Sequence, residues 1–210
     1  MPWQWDTGAQ RYRDSDTGRF MPGERVREFV QQSITGTDNA VGGLIDLLAD
    51  GKLAPKDFGD VFKREIKDEY IRQYVLGRGG LEQMTQADWG SIGGMLKEQY
   101  GYLPGFIDDI AEGKLTPGQI RVRAGMYINS AREGYERAVA RNATATGSTE
   151  ELWVLGATEN HCPDCPVLAD MGWVPVGEHG TYPGAGETQC VTNCLCHLEY
   201  RNPEGQVYGI

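Results

Sequence analysis

Between Lys56 and Gly77 apolar side chains recur every three or four positions, at Phe58, Val61, Phe62, Ile66, Tyr70, Ile71, Tyr74 and Val75. That spacing puts them on one face of an α-helix. The other face sets Asp60 against Arg64 and Asp68 against Arg72 at i,i+4, ordinary support for a solvated surface. Thr85 reads as the N-cap of a second helix, with Asp88 at the N3 position and Trp89, Ile92, Leu96 and Leu103 following on one side. Gly93 and Gly94 have no role in that pattern. Thr116-Pro117-Gly118-Gln119 combines an N-cap, a proline at the first helical position and a capping-box glutamine. The helix it opens is expected to run without interruption past Met126, Tyr127 and Tyr135 to Arg141.

One segment occurs twice. Leu44 to Pro55 aligns with Phe106 to Pro117, identical at seven of twelve positions. Both copies read as a helix ending at glycine (Gly51, Gly113), a turn, and a new helix opening at proline. At the N-terminus, Asp16-Thr17-Gly18 is a turn between Tyr12-Arg13 and Arg19-Phe20, which predicts a small hairpin. The fold class expected is mainly α. It comprises an extended docking arm with a hairpin over residues 1–28, a multi-helix body over 29–142, a linker over 143–149, and a small α+β or irregular module over 150–210. Trp3, Trp5, Tyr12 and Phe20 crowd the arm and are expected to dock, either on the chain's own domain or as partner-binding residues on a neighbour, as exposed aromatics do.

Composition narrows the class. The 210 residues are 24% charged and 40% hydrophobic, as in ordinary globular proteins and unlike a disordered tail. The longest stretch free of charge, Thr188 to Leu198, is 11 residues. A membrane-spanning helix needs about 20 apolar residues, so no membrane span is expected. No basic-then-apolar opening follows Met1, so no secretory signal is expected either.

The cysteines carry the chemistry. All five (Cys162, Cys165, Cys190, Cys194, Cys196) and all three histidines (His161, His179, His197) fall within 37 residues. Disulfides, a redox thiol pair and a metal site compete as explanations. Disulfides favour an even count and an oxidising compartment. A redox Cys-x-x-Cys sits at a strand–helix junction of a βαβ unit, whereas Cys162-Pro-Asp-Cys165 leads into a Gly- and Pro-rich stretch. Two knuckles separated by a loop are how a structural zinc site is assembled, with four thiolates closing the tetrahedron. Cys162, Cys165 and Cys190 are the expected members. Cys194 and Cys196 are two apart, so on an extended segment only one should face the metal. Cys194 is preferred, with Cys196 as the alternative fourth ligand.

Residues 161–197 contain four acidic side chains and neither Lys nor Arg, an unsuitable surface for phosphate. The chain as a whole carries a net charge of −10, yet residues 116–142 carry a local +3. Arg121, Arg132, Arg137 and Arg141 are therefore the candidates for nucleic-acid contact, against the plainer reading of a solvated helix face. Asp-Thr-Gly at Asp6 and Asp16 lies in a polar arm and reads as two turns rather than a protease pair. No nucleophile elbow or phosphate loop occurs, and the expectation is a non-enzymatic protein.

These segments together resemble the head-morphogenesis proteins of tailed phages, the group typified by the phage Mu F protein. The resemblance lies in Trp153-Val-Leu-Gly-Ala, His161-Cys-Pro-Asp-Cys165, Tyr182-Pro-Gly-Ala-Gly-Glu-Thr-Gln-Cys190 and Asn193-Cys-Leu-Cys196, with Arg78-Gly-Gly-Leu81, Gln99 to Phe106 and Arg123 to Tyr127 in the helical part. It spans most of residues 55–200. It implies a minor structural protein of the virion head, assembled in the host cytoplasm in several copies, that binds the major capsid or portal protein and carries a structural zinc. DNA contact, as a packaging or head-completion factor, is the alternative it implies. The chain departs from the group at Cys190-Val-Thr-Asn, where many members place His-Pro-Asn before the final Cys-x-Cys.

Overall fold

A computed structural model describes residues 3–208. Five long helices form the body: α1 (Gly23–Ala49), α2 (Pro55–Arg78), α3 (Gln86–Ala111), α4 (Pro117–Asn129) and α5 (Arg132–Ala145). The hairpin β1 (Trp3–Asp6) and β2 (Arg11–Asp14) precedes them. After them come β3 (Glu150–Val154), the short helix α6 (Asp164–Asp170), β4 (Val174–Pro175), β5 (His197–Arg201) and β6 (Val207–Tyr208). The last four strands make one antiparallel sheet in the order β4-β3-β5-β6. The mainly-α expectation holds.

Helix α2 is the centre of the body. Phe58, Phe62, Ile66, Tyr70 and Tyr74 on its inward face are fully buried, as their periodicity requires. Phe58, Phe62, Phe106 and Tyr127 pack as an aromatic cluster with centroids 5.4–6.4 Å apart. The expected surface pairs rearrange: Asp60 takes Lys56 and Arg72 takes the buried Glu69. Ser33, Thr37 and Gln73 also donate to Glu69, so this buried carboxylate is fully coordinated. The repeated corner behaves as its sequence says. Gly51 and Gly113 take the left-handed conformation at +69° and +67°, and Pro55 and Pro117 open the next helices.

Helix α3 starts at Thr85 with both capping-box hydrogen bonds in place and includes Gly93 and Gly94, which face open space. Trp89 falls off the predicted apolar face and is 39% exposed, whereas Ile92, Leu96 and Leu103 are buried.

Three expectations are corrected. The helix from Thr116 does not run through. It breaks at Ser130–Ala131, and α5 begins at Arg132, whose buried side chain turns toward the cysteine-rich segment. The arm's hairpin is not the expected one: β1 pairs with β2 across residues 7–10, and the Asp16-Thr17-Gly18 turn carries a single bridge between Arg13 and Phe20. Helix α1 already begins at Gly23, and the hairpin lies on the chain's own body. Tyr12 is buried and donates its hydroxyl to the Leu76 carbonyl, Trp3 packs on Phe29, and Trp5 lies against the backbone of Gly79. Packing Tyr12 and Trp5 over the C-terminal end of α2, and Trp3 against α1, removes more apolar surface from water than an extended arm could. Only Phe20 of the four stays on the surface, under the guanidinium groups of Arg11 and Arg13. The 143–149 linker is no free tether: α5 runs to Ala145, Ser148 is buried, and the Thr149 N–H donates to the Arg201 carbonyl. Sheet and helices share one continuous core.

Candidate metal centre

The five cysteines converge. Cys162 and Cys165 lie at the start of α6, Cys190 and Cys194 flank a single 3-10 turn (Val191–Asn193), and Cys196 immediately precedes β5. The Cys165 sulfur is 3.4 Å from that of Cys162, 3.8 Å from Cys190 and 3.7 Å from Cys194. Four thiolates about 2.3 Å from a central ion stand about 3.8 Å apart, so these spacings match the edges of a tetrahedral thiolate site. Cys162, Cys165 and Cys190 form one triad of mutually close sulfurs, and Cys165, Cys194 and Cys196 form another. The cluster could hold a metal ion, and Cys165 is common to both triads.

The expectation that Cys194 and Cys196 face opposite ways is therefore corrected. Both are buried, and both sulfurs reach Cys165. Alternation of faces holds only along regular strand, and β5 starts after Cys196, at His197. The turn before it carries Val191 at φ +52°, a left-handed conformation that a β-branched residue adopts only under constraint. Such a conformation costs on the order of 1–3 kcal/mol, and here it lies between two of the converging thiols.

Electrostatics divide the thiols. Hydrogen bonding from Cys194 outweighs burial and draws the Cys196 thiol down to about 5, helped by the Gly156 N–H and the Trp153 indole. Gly156 can come this close because it has no side chain: a Cβ there would lie 2.4 Å from the Leu195 carbonyl oxygen. Burial pushes the Cys162 thiol up, but hydrogen bonds from Cys165 and Cys190 bring it down to about 7. Cys194 and Cys165 are both raised, Cys194 chiefly by its hydrogen bond with Cys196 and Cys165 chiefly by burial. Thiolate character is thus already favoured at two positions, and a cation would favour it at the others.

The cluster is bolted to the body by Arg132. Its two terminal nitrogens donate to the carbonyls of Cys194 and Cys196, both at 2.9 Å, and its Nε is 3.8 Å from the Glu136 carboxylate. Asn129 adds a side-chain hydrogen bond to Asn193 at 2.9 Å. The sequence offers Arg132 as a candidate for nucleic-acid contact or as part of a solvated helix face, and the structure buries it instead. The other arginines are also engaged within the chain: Arg121 with Asp46, Arg137 with Glu133, and Arg141 with the buried Asp88. Sequence reasoning missed the role of Arg132 and Glu136. Their i,i+4 spacing on a helix was the available signal, and it did not distinguish a buried pair from a surface one.

Two titrating groups sit beside Arg132. Burial raises Glu136 to about 7, against the opposing pull of Arg132 and the Leu198 N–H. Burial and the charges of Arg27 and Arg132 lower His197 to about 4. A raised carboxyl holds its proton in the folded state while the unfolded chain has released it, so Glu136 lowers stability as pH rises from about 4.5 to 7. His197 acts oppositely: the unfolded chain takes up the proton first, and stability is lost as pH falls from about 6.5 to 4. Glu136→Gln is expected to remove the first effect, raising stability at pH 8 by roughly 1–3 kcal/mol. Denaturant titrations of both proteins from pH 5 to 8 at fixed metal should show it. A constant difference between them across that range would count against a neutral, buried Glu136.

Among the described residues no helix is long and apolar enough to cross a membrane. Comparison with protein-family patterns, curated proteins and solved structures finds no match to this chain.

Proposed function

We propose that the chain is a non-enzymatic structural protein of a tailed-phage head, with its C-terminal module clipped together by one structural Zn²⁺. The observation that carries this reading is the closed thiol cluster, set in a sequence that resembles head-morphogenesis proteins. Cys162, Cys165 and Cys190 bind the ion, with Cys194 as the fourth ligand on its 3.7 Å distance to Cys165 and Cys196 as the alternative. Zinc suits an all-thiolate tetrahedral donor set. Four protein ligands leave no open position for water, so the ion's task is to hold the fold. The partner is a capsid or portal protein of the assembling head.

A DNA-packaging role is the second reading, and the intramolecular engagement of Arg121, Arg132, Arg137 and Arg141 makes it the weaker one. Elemental analysis of the purified chain should give one zinc per molecule, and proteomics of purified particles should find the chain among the head proteins. Its absence from the particles would refute the virion assignment, and a metal-free chain with five titratable thiols would refute the clip.

A further inference from the structure

A cleft of 590 Å³ opens where α3, α4 and α5 meet the loop that leads into the thiol cluster. Its walls are amphipathic. Tyr102, 61% exposed, and Met126, 39% exposed, present apolar surface, while Glu98, Glu133 and Glu187 bring three carboxylates to the same space. Two arginines also line it, but both are committed: Arg123 to Asp109, and Arg137 to Glu133 and to the face of the Tyr182 ring. Glu98 and Glu187 have no ion pair among the described residues, and their charge helps to raise the part-buried Glu133. The hydroxyl of Thr192, a residue 8% exposed on the cluster-side wall, has no hydrogen-bond partner. An apolar hollow with unpaired carboxylates at its mouth and an unsatisfied hydroxyl on its wall lacks a cation donor carried on an aliphatic stem.

We propose that this cleft receives a lysine or arginine side chain borne on an apolar segment of a partner protein. The stem lies along Tyr102 and Met126, and the charged head meets Glu98 and Glu187. One wall of the cleft comes from residues on either side of Cys190, so the proposal rests on the clipped module being in place, though not on the partner being a capsid protein.

Fluorescence anisotropy on the metal-loaded full chain tests it, with a labelled peptide of alternating leucine and lysine against its leucine–glutamate counterpart. The lysine peptide is expected to bind and the glutamate peptide not. The double variant Glu98→Lys, Glu187→Lys should weaken binding about tenfold, with metal content and near-ultraviolet circular dichroism unchanged. Tyr102→Ala, which alters no charge, should weaken it severalfold. Glu204→Lys, on the exposed turn between β5 and β6, should change it by less than about twofold. Equal weakening by Glu204→Lys would reduce the effect to net charge and overturn the proposal. So would equal binding of the two peptides, or no binding of the lysine peptide to a chain whose metal content and dichroism are intact. Loss of metal from the wild-type chain, by contrast, bears on the clip and not on the cleft.

Discussion

Replacing Cys165 with serine is expected to abolish tight metal binding and to lower the thermal midpoint by roughly 10 °C. Cys165 is the one sulfur that belongs to both triads, so its loss removes a ligand whichever of Cys194 and Cys196 completes the set. Structural zinc contributes about 10–16 kcal/mol of apparent binding free energy in small modules, and removing one of four thiolates forfeits a large part of it. The body should survive, because the residues around Phe58, Phe62 and Phe106 are packed without help from the cluster. The expected outcome is therefore partial: far-ultraviolet helicity retained, the near-ultraviolet signal of Trp153 lost, and zinc absent after passage over a weak chelator. A Cys165→Ser chain that keeps one zinc and its melting temperature would sink the assignment. Parallel Cys194→Ser and Cys196→Ser variants identify the fourth ligand by which of them loses the ion.

Arg132→Leu carries the second large effect, a loss of about 3–5 kcal/mol measured by denaturant unfolding with zinc present. The substitution keeps much of the aliphatic stem but leaves the Cys194 and Cys196 carbonyls without these donors and takes from Glu136 the stronger of the two cations that act on it, the other being Arg27. Buried acceptors left unpaired cost about 1–3 kcal/mol each, which is why one side chain weighs so much. Adding Glu136→Gln to Arg132→Leu should recover part of the loss, because the uncompensated carboxyl is then gone. A solvated or DNA-facing arginine would behave otherwise: its removal would cost well under about 1 kcal/mol, as for exposed charges.

The sequence made the locally determined parts of this fold legible. The inward face of α2, the capping boxes at Thr85 and Thr116, and the corners at Gly51 and Gly113 all follow from side chains within four residues of one another. The gathering of all five cysteines at one end was equally open to view. What escaped was decided across the fold. No proline or glycine marks the break at Ser130–Ala131; it arises where the chain turns Arg132 toward two carbonyls more than 60 residues away. The facing of Cys194 and Cys196 escaped because an alternation rule was applied to a turn. The aromatic arm left open whether it docks on its own body or on a partner, since nothing near Trp5 or Tyr12 in sequence reveals that Gly79 and Leu76 await them.

The bond between Arg132 and the last two cysteines also sets an order of events on the ribosome. The five helices of the body are synthesised before Cys162 appears, and the body can collapse around α2 while the cluster is still untranslated. Until residue 196 has cleared the exit tunnel, however, the N-terminal end of α5 holds a cation with no carbonyls to receive it. The nascent chain thus carries a polar notch in an otherwise finished core, and the segment that closes the notch is the one that brings Cys194 and Cys196 to the other thiols. Assembly of the thiol cluster and completion of the helical core are thereby coupled through one side chain.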